Sequence, residues 1–206
     1  MNALILVDIQ NDFLPGGALP VPHGDEVVAV ANRLLDRFPV IVATQDWHPE
    51  NHGSFAANRG QQPGTMAELG GLPQVMWPNH CVQNTGGAAF APGLNTARIQ
   101  RVFPKGTGPE IDSYSGFFDN RRRKATGLGD YLTLKGVTHV FVLGLATDYC
   151  VKATAIDAQQ LGFTTTLVLD GCRGVELNPG DCDRALEEMQ RAGVRLVQSV
   201  DLATNR

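Results

Sequence analysis

Apolar residues along this 206-residue chain follow two rhythms. Ala3 to Val7, Val40 to Ala43 and Val140 to Leu143 are unbroken apolar runs, typical of strands covered on both faces. Thr164 to Leu169, the weaker Ile99 to Phe103 and the short Arg195 to Val197 read the same way. Between them, apolar residues recur at helical spacing. Val27, Val28, Ala31, Leu34, Leu35 and Phe38 predict one helix, with Asp25 as its N-cap. A second is predicted around Thr126 to Leu134, and a third over Val151 to Leu161, ended by Gly162. A fourth, capped by Asp181 or Asp183, carries Leu186, Met189 and Ala192 on one face and ends at Gly193. Strands alternating with helices predict an α/β fold. Its expected form is a three-layer α/β/α arrangement on an open, mostly parallel sheet of Rossmann-like kind. The length suits a single domain over 1–206.

The rhythm fails from Trp47 to about Asn95, where Gly, Pro, His and Asn dominate. A loop insertion this long is uncommon unless it carries function. A second irregular stretch follows Pro104-Lys105-Gly106 and runs to Asn120.

Composition narrows the classes. The 43% hydrophobic content supports a full core. Net charge is −4, and Arg121 to Lys124 is too short a basic run to argue for a nucleic-acid partner. No apolar run approaches the roughly 20 residues that span a bilayer, and no charged-then-apolar leader is read. Cys81, Cys150, Cys172 and Cys182 form no CxxC pair, so they read as cytosolic thiols and the expected location is cytoplasmic. The expected state is a monomer or a small homo-oligomer.

In open α/β sheets the functional crevice lies at the C-terminal ends of the strands. Asp8, Asp46, Lys105 and Cys150 each follow a different predicted strand, so they are expected to meet on one edge. Cys150 falls at the expected first turn of a helix, where outward N–H groups and the helix dipole favour a thiolate. The alternative is a small buried cysteine that packs as a hydrophobe. Asp8 could accept the thiol proton, and Lys105 could hold the carboxylate and favour the thiolate. Without the cysteine, that pair would read as a salt bridge.

A second group is Asp46-Trp47-His48, with His52 four residues after His48 and His80 farther on. Carboxylate and imidazole suit zinc, iron or manganese, and three ligands with open positions describe a catalytic site. His52 stays open between ligand and surface residue. His23 and His139 read as structural. Phe13, Trp77 and Tyr114 fall in loops rather than on periodic faces, which suits the walls of an apolar pocket.

Together these residues resemble the bacterial nicotinamidases, also called pyrazinamidases, of the isochorismatase-like cysteine hydrolases. The resemblance rests on Leu6-Val7-Asp8-Ile9-Gln10-Asn11-Asp12-Phe13, Gln45-Asp46-Trp47-His48-Pro49 and Trp77-Pro78-Asn79-His80-Cys81-Val82. It continues through Lys105-Gly106, Asp112-Ser113-Tyr114-Ser115-Gly116-Phe117 and Gly144 to Val151. It implies a catalytic triad of Asp8, Lys105 and Cys150, and one divalent metal ion, zinc first, on Asp46, His48 and His80. It also implies a cis peptide before Ala146, with the N–H groups of Ala146 and Cys150 forming an oxyanion hole. The expected substrate is nicotinamide, its ring between Phe13 and Trp77 and near Tyr114, cleaved to nicotinic acid and ammonia in NAD salvage.

Rival readings are a related cysteine hydrolase acting on another small amide, a non-catalytic flavodoxin-like domain, and a redox thiol protein. The last would want a resolving cysteine, and none lies close in the chain.

Overall fold

Six runs of extended backbone pair side by side in a computed structural model that describes residues 1–202. They are β1 (Asn2–Val7), β2 (Val40–Asp46), β5 (Arg101–Lys105), β6 (His139–Leu145), β7 (Thr164–Arg173) and β8 (Arg195–Val197). Their order across the sheet is β5-β2-β1-β6-β7-β8, and every pairing in it is parallel. The helices α1 (Glu26–Leu34), α2 (Leu128–Leu134), α3 (Lys152–Gln160) and α4 (Asp181–Arg191) flank it. α1 lies on β6 and β7, while α3 and α4 lie against each other over β6 to β8. The strands that read as unbroken apolar runs are the central ones. Ala3, Leu4, Ile5, Leu6 and Val7 are buried, as are Val140, Val142 and Leu143.

Strand β1 pairs β6 in register up to Val7 and Gly144. A Cβ added at Gly144, whose φ is +132°, would lie 2.0 Å from the Val7 carbonyl oxygen. Gly144→Ala is therefore expected to lower stability by about 3 kcal/mol, read as a lower urea midpoint at unchanged slope.

Several boundaries differ from the sequence reading. β2 runs through Asp46 and β5 through Lys105, so both polar residues end their strands rather than follow them. β7 continues to Arg173, past the expected stop at Leu169, because its register on β6 breaks between Val142 and Gly144. α2 begins at Leu128. Asp25 is no side-chain N-cap: a turn before α1 lets the carbonyls of His23, Gly24 and Asp25 take the first N–H groups. Neither Asp181 nor Asp183 caps α4. Gly180 holds that position, and the Asp181 carboxylate instead accepts from the Asn178 N–H at 2.8 Å.

The long irregular stretch contains a hairpin that the sequence reading did not assign. β3 (Met66–Leu69) pairs antiparallel with β4 (Leu72–Val75) through Gly70 and Gly71, at φ +58° and +78°. Two consecutive residues at positive φ are the requirement of a type I′ turn, which glycine meets without steric cost.

Candidate active site

Strand register builds the site. Asp46 sits opposite Lys105 at the ends of β2 and β5. Asp8 follows β1 at φ +47°, a left-handed conformation uncommon outside glycine. Cys150 stands in a π-helical turn, Thr147–Val151, that precedes α3. The expected first α-helical turn is thus a wider one. The peptide between Leu145 and Ala146 is cis.

The four polar groups expected to converge do so. Lys105 Nζ lies 2.9 Å from Asp8 Oδ2, donates to Cys150 Sγ at 3.3 Å and to the Ser113 carbonyl at 2.8 Å, and pairs with Asp46. Donor atoms of Asp8, Asp46 and Cys150 lie within 4.8 Å of one another. Thr44 Oγ1 donates to Asp8 Oδ1 at 2.7 Å. Asp8 Oδ2 approaches the ammonium without hydrogen-bond geometry, so it is left as an acceptor facing the cluster.

Burial sets the protonation states. It raises the Asp8 carboxyl to about 6, although the Lys105 charge pulls it down. It also pushes the Cys150 thiol well up, with Lys105 opposing. Burial thus works against the thiolate that the helix-terminus argument favoured, and the Lys105 ammonium works for it. Burial would neutralise Lys105, but Asp46 and Asp8 outweigh it and hold its pKa well above the ordinary lysine value.

Beside this cluster, a parallel bridge between His48 and Val82 brings the start of the long loop against its later part. It sets His80 against His48, ring centroids 5.0 Å apart. His48 Nδ1 lies 2.9 Å from the Gly106 carbonyl and His80 Nδ1 lies 2.8 Å from that of Pro78. Each Nδ1–H donates there, which leaves both Nε2 atoms as lone-pair donors. Those Nε2 atoms stand 3.6 and 3.9 Å from Asp46 Oδ2. Two imidazoles whose Nδ1 atoms are taken up by carbonyls, together with a carboxylate, are a donor set that fits a divalent metal ion. A Cβ at Gly106 would lie 2.3 Å from His48 Cε1, so only glycine lets the ring and carbonyl meet.

His52 is fully buried, against the surface position left open from the sequence. Ser54 Oγ lies 2.7 Å from its Nδ1, and its ring lies tilted against that of His48, centroids 4.3 Å apart. Its Nε2 has no hydrogen-bond partner among the described residues. His139 is structural as expected, with Nε2 2.9 Å from Thr166 Oγ1. His23 is exposed beside Glu26.

A narrow cleft opens above these groups. Phe13, Trp77 and Tyr114 line it together with Ala146 and Cys150. The Tyr114 hydroxyl accepts from Trp77 Nε1 at 3.3 Å and from Gln74 Nε2 at 2.9 Å. Tyr149 completes the wall, edge-on to Trp77 with centroids 4.9 Å apart.

The family model described as the isochorismatase domain matches residues 2–201. The chain belongs to the isochorismatase family. Within that family it is 53% identical over 204 residues to the nicotinamidase of Escherichia coli, covering 97% of this chain and 96% of the relative. A solved nicotinamidase/pyrazinamidase of Acinetobacter baumanii superposes with a TM-score of 0.95 at 46% identity, over 98% of this chain and 97% of that one. The pyrazinamidase of Pyrococcus horikoshii, solved in complex with zinc, gives 0.77 at 41% identity over 96% and 98%.

This isochorismatase-family site also uses residues that the sequence reading did not select. Gln10 is buried and clasps the Asp46 peptide, donating to its carbonyl and accepting from its N–H, both at 2.8 Å. Asp12 Oδ2 accepts from the Cys81 N–H at 2.7 Å, anchoring the loop next to His80. Buried Asp112 lines the cleft and accepts from Gln74 at 3.0 Å. All three lie inside the quoted motifs, and that position was the one available signal.

Proposed function

We propose that this chain hydrolyses nicotinamide to nicotinic acid and ammonia, and pyrazinamide to the corresponding acid, through a Cys150 thioester. The observation that carries this reading is the contact of a carboxylate, an ammonium and a thiol at the floor of an aromatic cleft, beside a three-donor metal set. Identity to named nicotinamidases over nearly the whole chain supports the substrate.

Asp8 takes the Cys150 proton as the sulfur attacks the carboxamide carbon. Lys105 stabilises the thiolate as it forms. The carbonyl oxygen becomes an oxyanion facing the N–H groups of Ala146 and Cys150. The tetrahedral adduct collapses, Asp8 returns its proton to the amide nitrogen, and ammonia leaves. Water then adds to the thioester and loses a proton to Asp8. Breaking the carbon–sulfur bond releases the acid and regenerates the thiol. A divalent ion on Asp46, His48 and His80, zinc by preference, would supply an electrophile for the ring nitrogen and so orient the ring. Phe13, Trp77 and Tyr114 hold that ring by its faces and edge. Such an activity serves salvage of nicotinamide toward NAD. The free cysteines suit the cytoplasm, and no described helix is long and apolar enough to cross a membrane.

Ammonia release from nicotinamide, set against a panel of small amides, tests the reading. Turnover of another amide with none of nicotinamide would overturn it. Iodoacetamide is also expected to label Cys150 faster than Cys172, with nicotinamide slowing it, as mapped by peptide mass spectrometry. Equal labelling would remove Cys150 as an activated thiol.

A further inference from the structure

Asp148 is buried two residues before Cys150 and takes no part in the chemistry above. Its Oδ1 accepts from the Val175 N–H at 3.0 Å, and its Oδ2 from the Glu176 N–H at 2.7 Å. Glu176 is at φ +54°, the conformation that turns successive N–H groups toward one carboxylate. Gly174 makes the approach possible: a Cβ there would lie 3.1 Å from Asp148 Oδ1 and 2.0 Å from Cys182 Sγ. Val175 lines the cleft beside Tyr149 and Cys150. Three features thus join at one point: the nucleophile's turn, the segment between β7 and α4, and the cleft wall.

We infer that Asp148 is a specificity-determining positioning residue, which clamps Val175 against the cleft and so limits the size of the group that reaches Cys150. The carboxylate acts on the wall, not on the reacting atoms. Asparagine is nearly isosteric but replaces one of the two acceptors with a donor facing an N–H. It should let the wall swing out while the sulfur stays in place. This inference rests on Cys150 being the reactive thiol of the amidase reading.

The test compares alkylation of Cys150 by iodoacetamide and by its bulkier N-phenyl derivative, which needs no amidase turnover. The wild-type chain is expected to favour the small reagent. Asp148→Asn should narrow that preference about tenfold and Val175→Ala by a similar factor, with the double variant no further. Asp148→Glu moves the carboxylate by one methylene and carries the test if the asparagine variant does not fold. With nicotinamide, KM should rise about tenfold in Asp148→Asn while kcat stays within threefold. An unchanged size preference, additive effects of the two sites, or a loss confined to kcat would each overturn the clamp. If the wild-type chain releases no ammonia yet the size preference shifts as stated, the substrate reading fails and the clamp stands.

Discussion

Cys150→Ala is expected to abolish ammonia release from nicotinamide, by at least about ten-thousand-fold, while the protein still folds. The size of the effect follows from the site. Lys105 and Asp8 gather on the sulfur, and among the described residues no other cysteine donor joins Asp8 and Asp46 in the cluster. With the sulfur gone, water would have to attack an unactivated amide directly. The structural cost is small, about 1 kcal/mol, because one buried atom is lost from a turn whose backbone bonds do not use it. Asp8→Asn should fall nearly as far, and the double variant no further, since residues that act as a unit are not additive. Kinetics with a coupled ammonia assay, beside a thermal melt, would check this. A Cys150→Ala rate within tenfold of the wild type would remove the sulfur from the reaction.

The second large effect is expected at His48. Its Nδ1 is held by the Gly106 carbonyl and its Nε2 faces Asp46, so His48→Ala removes one of three donors and leaves a cavity at a fully buried position. Loss of an outer-sphere partner alone weakens metal binding about 10- to 100-fold. Loss of a donor should cost at least about a hundredfold. Metal content measured after dialysis against a weak chelator should drop below a tenth of an equivalent, and KM for nicotinamide should rise with it. Chelator treatment of the unmodified protein should mimic the variant, and added divalent ion should reverse it. An unchanged metal-to-protein ratio in His48→Ala would show that the ion sits elsewhere.

The strands were legible because parallel strands buried on both faces are apolar without interruption. Their C-terminal ends were legible only in outline: the first run stops at Asp8, Asp46 and Lys105 follow the next two within three residues, and Gly144 ends the run before Cys150. That is why Asp8, Asp46, Lys105 and Cys150 could be expected on one edge before any coordinates. Other features depend on packing that a linear pattern does not carry. The bulge in β7 comes from its register on β6, and nothing in Thr164 to Arg173 announces it. Gln10, Thr44 and Ser113 act by one to three hydrogen bonds each, and such residues are common everywhere in a sequence. The electrostatics of Cys150 were half legible for a related reason: a helix terminus is visible in the pattern, while the depth of burial that opposes it is not. The hairpin was readable after all, from Gly70-Gly71 between short runs.

Gly106 brings two chemistries to adjacent residues. Its N-terminal neighbour carries the ammonium on the sulfur, and its own carbonyl fixes the tautomer of an imidazole in the metal set. A side chain there would strike the imidazole at 2.3 Å, and relief of that clash by the backbone would shift the adjoining lysine. Ion affinity and thiol reactivity are therefore not independently adjustable at this point of the chain, and a protein engineer wishing to retune one of them must start from another position.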